Sequence, residues 1–93
     1  MGDFLTKGHF MYKNKAPNGR NNISGNNIAR IRKSLSPKVS QRALAEKMQL
    51  EGIELDKNAI QRIESGQRFV TDIELIAFAK VLNVSLYDLL CKF

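Results

Sequence analysis

From Ile23 onward the chain repeats one device: a short polar residue that can cap a helix, an aliphatic just before it, and another aliphatic four positions after it. The caps are Ser24, Ser40, Asp56, Thr71 and Ser85, flanked by Ile23/Ile28, Val39/Leu44, Leu55/Ile60, Val70/Leu75 and Val84/Leu89. The side-chain oxygen of a cap accepts one of the N–H groups that a helix start leaves unpaired. The aliphatic pair staples the incoming chain to the first turn. Each cap contributes on the order of 1 kcal/mol. Thr71-x-x-Glu74 adds a reciprocal capping box, and Ser85-x-x-Asp88 a shorter-armed one. No stretch alternates apolar and polar residues as a half-buried strand does. The spacing predicts an all-α domain with helices over roughly 25–35, 41–50, 57–65, 72–82 and 86–92.

The breakers agree with those bounds. Gly52 and Gly66 suit left-handed positions just past a helix, Asn83 can serve in the same way, and Pro37 falls in the first connection. The helix over 72–82 is apolar almost all round and is expected to be the central buried helix. The last helix carries a stripe of Leu86, Leu89, Leu90 and Phe93. That stripe has two readings: completion of the monomer core, or a two-fold dimer contact.

Residues 1–22 read as a flexible leader. They mix Gly, Asn and Pro with scattered lysines and show no sustained period, so the folded domain is expected over 23–93. Met11 is a second candidate start, between which and Met1 the sequence does not decide. A chain of 93 residues allows one small domain with a thin stability margin and no deep catalytic cleft. No apolar run approaches the ~20 residues of a membrane span, and no signal peptide is visible. The single cysteine, Cys91, forbids an intrachain disulfide, fits a reducing cytoplasm and is expected as a small packing residue. One His, His9 in the leader, and one Cys make no zinc site. With no nucleophile–base pair and no phosphate-cradling Gly loop, the expectation is a protein without catalytic residues, metal or cofactor.

A net charge of +6 favours a polyanionic partner only weakly. The surplus lies in residues 1–39, where eight Lys and Arg face Asp3 alone. Residues 40–66 carry Arg42, Lys47, Lys57 and Arg62 against Glu46, Glu51, Glu54, Asp56 and Glu64, and are slightly acidic. Any claim about nucleic acid therefore rests on which face each charge occupies.

The third helix supplies such a face. With Ile60 pointing inward, steps of about 100° bring Ile63 and Glu64 near the buried side. Asn58, Arg62 and Ser65 then fall opposite, with Gln61 and Ala59 flanking and Lys57 at the helix start. Arg pairs with guanine and Asn or Gln with adenine in the major groove, so Lys57, Asn58, Gln61 and Arg62 are candidate base readers. The same residues also suit an ordinary solvated face. The neighbouring segment favours the first reading. Gln41 and Arg42 open the second helix, whose N–H groups suit a phosphate, and Ser65, Gln67 and Arg68 follow the third helix and can grip the backbone beyond it.

Four motifs then line up. They are Ile28-x-x-Ile31-Arg32; Ser40-Gln41-x-x-Leu44-Ala45-x-Lys47; Ile60-x-x-Ile63-Glu64-x-Gly66; and Leu75-Ile76-x-x-Ala79-x-x-Leu82-x-Val84-Ser85-x-x-x-Leu89-Leu90. Over about three-quarters of its length the chain resembles the Cro- and lambda-repressor-like helix-turn-helix family, also called the Xre family. The resemblance implies a five-helix DNA-binding domain whose third helix enters the major groove of double-stranded DNA. It implies base-reading roles for Lys57, Asn58 and Arg62, phosphate contacts by Gln41 and Ser65, and a partly buried ion pair of Arg32 with Glu64.

The chain departs from the family pattern between the second and third helices. The segment Gln49–Leu55 makes the connection about five residues longer than the usual tight turn, as in a bacterial subset of the family. Leu50, Ile53 or Leu55 is expected to pack back on the core while the second helix lengthens. Glu51 and Glu54 would repel DNA unless they turn away. Arg20, Asn21 and Asn22 read either as a minor-groove arm or as solvated linker. Arg30, Lys33 and Lys38 either add diffuse phosphate attraction or form a solvated face.

The function this predicts is sequence-specific regulation of transcription in a bacterial cytoplasm, on the nucleoid when bound. The simplest form is a repressor acting by operator occupancy, since the length leaves no room for a ligand-binding or cleavage domain. A symmetric dimer through the last helix would set two recognition helices about 34 Å apart. The competing reading is a protein-interaction module on the same fold, antitoxin-like or a regulator of another regulator. The acidic balance of residues 40–66 and the aliphatic excursion favour it.

Overall fold

The computed structural model describes residues 15–91, so Met11 and Phe93 lie outside the described residues. It contains α1 (Gly25–Ser34), α2 (Gln41–Leu50), α3 (Lys57–Glu64), α4 (Asp72–Leu82) and α5 (Leu86–Leu90), with no strand among the described residues. Ser40, Asp56, Thr71 and Ser85 accept from the N–H groups of Ala43, Ala59, Glu74 and Asp88, and the last two caps close reciprocal boxes. These caps hold because each residue keeps an extended backbone that aims its oxygen back over the first turn. Ser24 breaks the pattern. Its backbone is already helical and its hydroxyl makes no cap bond. Asn22 takes over, its Oδ1 accepting from Gly25 N at 2.8 Å. Ile23 correspondingly stays exposed rather than stapling α1.

The core is built where α1, α2 and α3 converge. Ile28 and Ile31 of α1 meet Leu44, Ala45 and Met48 of α2 and Ala59, Ile60 and Ile63 of α3, closed by Phe78, Leu82 and Leu89. Each set follows helical spacing, so one stripe per helix is buried. The small side chains Ala45 and Ala59 are buried on facing helices, where they leave room for a close approach of α2 and α3. Asn27 ties α1 to α5, donating from Nδ2 to the Leu89 carbonyl at 2.9 Å.

The expectation of a central, fully buried α4 is not met. Only Ala77, Phe78 and Leu82 are buried, while Ile73 and Ile76 stand 66% and 61% exposed beside the exposed Phe69. Among the described residues neighbouring helices cover one side of α4 and leave the other open, as a domain this small buries only part of its apolar surface. Cys91 is exposed at the end of α5 rather than packed, because α5 stops at Leu90. In the stripe of that helix Leu89 enters the core, Leu90 lies half-buried against it, and Leu86 remains 42% exposed.

The excursion between α2 and α3 resolves differently for its three aliphatics. Leu55 is buried and Ile53 half-buried against the core, but Leu50 is 87% exposed. Helix α2 does not lengthen past Leu50. Gly52, at φ +83°, turns the chain back, and the N–H groups of Glu51 and Ile53 both donate to the Met48 carbonyl. That turn leaves Leu50 on the outside. Glu51 points away from α3, its Oε1 lying 2.9 Å from Lys80 Nζ on α4.

Candidate nucleic-acid interface

Helix α3 has one face sealed and one face open. Ala59, Ile60 and Ile63 are buried, the last two completely. Lys57, Asn58, Gln61 and Arg62 are exposed, and among the described residues no hydrogen bond or ion pair engages any of their side chains. The 49–55 excursion does not lie across that strip. It stands off, leaving an open groove of about 670 Å³ whose walls include Glu54, Asp56, Arg62 and Arg68. Ala59, placed by simple helical stepping beside the open strip, belongs to the floor between α2 and α3.

The C-terminal end of α3 is held by charge. Arg32 donates from Nε and Nη2 to the two Glu64 oxygens at 2.7 and 2.9 Å, and from Nη1 to the Val39 carbonyl at 3.0 Å. Gln41 Nε2 donates to Glu64 Oε1 at 2.9 Å. One carboxylate thus joins α1, α2 and α3. Its remaining cost of burial is offset by three N–H donors and one full positive charge. Gln41 is thereby fixed by an intramolecular bond, while Arg42 beside it is exposed and without a side-chain partner among the described residues. The first intrahelical bond of α2 is Leu44 N to Ser40 O. The N–H groups of Gln41 and Arg42 lie ahead of it, at the positive end of the helix dipole.

The residues after α3 divide. Ser65 donates its hydroxyl to the Arg62 carbonyl, and Gln67 keeps an exposed side chain. Arg68 forks onto Glu74, with both N–O distances 3.0 Å, and also donates to the Phe69 carbonyl. Burial pushes the Glu74 carboxyl up, but the Arg68 hydrogen bonds and the Thr71 N–H outweigh it and hold the group below its ordinary value. The same hydrogen bonds, donated to Glu74, raise Arg68 above its ordinary value. Of the cations flanking α3, Arg68 is therefore committed and Arg42 is not.

One part of this surface was not expected. Arg20, Asn21 and Asn22 are bound to the end of α3 rather than solvated. Asn22 Nδ2 bridges the Ile63 and Arg68 carbonyls at 3.0 and 2.8 Å. Asn21 donates from its backbone N–H to Gly66 O and from Nδ2 to Gln67 O. Arg20 Nη2 donates to Glu64 O at 2.7 Å. Of these acceptors Ile63 and Glu64 close α3, and Gly66, Gln67 and Arg68 lie in the turn that follows it. The available signal was the position of two Asn side chains just ahead of a helix, where such amides bond neighbouring backbone. Their target, 40 and more residues away, has no mark in the sequence.

An exposed polar strip on a short helix, backed by a second helix and fastened at both ends, defines a helix-turn-helix domain of the DNA-binding class. A family description for helix-turn-helix domains of the Cro/C1 type matches residues 28–89, about two-thirds of the chain, and the chain belongs to that family. It carries a DNA-binding regulatory domain. No curated protein and no solved structure matches the chain significantly. No helix among the described residues is long and apolar enough to cross a membrane.

Proposed function

We propose that this protein is a sequence-specific regulator of transcription, most simply a repressor that occupies its operator and excludes polymerase. In this reading α3 enters the major groove of double-stranded DNA, where Asn58, Gln61 and Arg62 read base edges and Lys57 reaches past the helix start. Gln41 and Arg42 hold phosphate at the start of α2. Ser65 and Gln67 hold it beyond α3, and Arg68 joins them to the extent that it shares its guanidinium with Glu74. A partner of this kind places the protein in a bacterial cytoplasm. The observation that carries the reading is the strip itself: polar side chains, exposed and unengaged among the described residues, on a helix whose opposite face is fully buried. Selection of bound duplexes from a random pool, followed by the double substitution of Asn58 and Arg62 to Ala, tests it. Each lost bidentate contact should weaken binding to the selected site by about 1–3 kcal/mol while the fold survives. Operator affinity unchanged in a folded double variant refutes the assignment.

A two-fold dimer through α5 belongs to the same proposal. Leu86 and Tyr87 remain 42% and 62% exposed there, and Phe93 of the original stripe lies outside the described residues. Palindromic selected sites with half-sites about one DNA turn apart would support the dimer, and single asymmetric half-sites would count against it.

One observation favours a competing reading as a protein-interaction module: the apolar outer face of α4, where Phe69, Ile73 and Ile76 are all more than half exposed. A salt titration on random duplex DNA separates the two readings. Electrostatic binding falls steeply as salt rises, whereas no measurable affinity even at low salt favours a protein partner.

A further inference from the structure

We infer that Arg20 is a DNA-phosphate-binding residue, carried onto the recognition helix by the Asn21–Asn22 strap; this rests on the DNA-binding reading above. The strap places the guanidinium against Gly66. A Cβ on that glycine would lie 2.7–2.9 Å from Arg20 Cζ, Nε and Cγ, so the side chain rests on bare backbone. Of its five N–H donors, one is used among the described residues, by Nη2 on Glu64 O. Among the same residues no carboxylate pairs with it, and the Glu64 carboxylate accepts from Arg32 and Gln41.

Of the other cations at the end of α3, Arg32 is neutralised by Glu64 and Arg68 by Glu74, while the exposed Arg62 belongs to the outward strip of the helix. Among the described residues Arg20 is therefore the uncompensated cation laid on the 64–67 turn. The turn also exposes Ser65 and Gln67 on either side of Gly66. A half-buried guanidinium fixed through one N–H, with its remaining donors unassigned and polar side chains beside it, has the chemistry that grips a phosphodiester oxygen. The side chain lies there against a glycine that puts no side chain in its way. Arg20 would then fix the register of α3 in the groove while reading no base.

The test uses the full chain and a random-sequence duplex, with affinity measured from about 50 to 200 mM salt. A phosphate contact released by Arg20→Ala flattens the plot of log K against log salt by about 0.9. Arg20→Lys, which keeps the charge, restores the slope. Arg20→Gln removes the charge and keeps a polar amide, two bonds too short to reach Glu64 O. It should lose the slope as Arg20→Ala does, and melting temperatures of all three variants, read alongside, show that each is folded at the assay temperature. An unchanged slope in Arg20→Gln, with wild-type protein binding normally, overturns the assignment even if specific affinity falls, because bracing alone moves affinity and not counterion release. Failure of the wild type to bind any duplex at low salt overturns the DNA-binding reading and this inference with it.

Discussion

Arg32 and Glu64 meet as a fork, Nε to Oε2 at 2.7 Å and Nη2 to Oε1 at 2.9 Å, with side chains only 9% and 8% exposed. The pair spans 32 residues of sequence and fastens α1 to the end of α3. Removing one partner strands the other. Glu64→Ala leaves a buried guanidinium and the Gln41 amide without their acceptor, and should destabilise the fold by about 3 kcal/mol. A domain of this size holds roughly 5–10 kcal/mol in all, so chemical denaturation should show a large fall in midpoint with little change in slope. A loss under about 1 kcal/mol would mean that the pair is not fastening α3.

Two glycines sit under the same helix end for different reasons. A Cβ on Gly25 would fall within contact distance of the Ile63 carbonyl oxygen, a backbone atom that cannot move without shifting α3. Gly66 has φ +84°, and the atoms a Cβ would meet there belong to the flexible Arg20 side chain. Gly66→Ala should therefore cost about 1–2 kcal/mol from the left-handed backbone. Gly25→Ala should cost more, about 3 kcal/mol, by overpacking. Thermal unfolding of the two variants should preserve that order.

The Arg68–Glu74 fork sets an acid response. The folded carboxyl lies below its ordinary value of 4.5, so the contribution is complete above that pH and is lost as pH falls through the folded value. Both groups keep some contact with solvent, so the effect is small, at most about 1 kcal/mol. The stability difference between wild type and Glu74→Gln should be present near neutral pH and shrink as pH falls from 4.5 through the lower folded value. A difference that grows on acidification would contradict the assignment.

Glu54 and Asp56 share the groove wall with Arg62 and should weaken binding to any DNA. A unit charge about 10 Å from a phosphate in water interacts by roughly 0.4 kcal/mol before screening. Glu54→Gln with Asp56→Asn should raise duplex affinity about two- to fourfold at low salt, and less as salt rises. Asn can replace Asp as the cap of α3, so the helix should persist by circular dichroism. Lowered affinity in this variant would mean that one of the carboxylates contacts a base or positions Arg62.

Much of the fold was legible because helix signals are local. Cap residues, staples and helical spacing act within a turn or two, and α2, α3, α4 and α5 begin at the residues those signals mark. The outward strip on α3 followed from angular position alone. The failures occurred where local signals compete with distant ones. Ser24 has the right identity for a cap, but Asn22 occupies the first N–H of α1. The composition of α4 says buried, but burial needs neighbours, and among the described residues Ile73 and Ile76 have too few. Leu50 is as apolar as Leu55, yet the turn at Gly52 sends one outward and the other in.

Residue order alone was enough to set the helical class, most of the helix starts and the chemistry of the exposed face of α3, since each depends on contacts within a few residues. Which cations are already neutralised was a matter of three-dimensional assembly. Arg68 is spent on Glu74, Arg32 on Glu64, and Arg20 is laid on Gly66 with no acid paired to it among the described residues. Electrostatic compensation depends on distance through space, and the chain brings Arg20 to its place across 44 residues that carry no local record of the meeting.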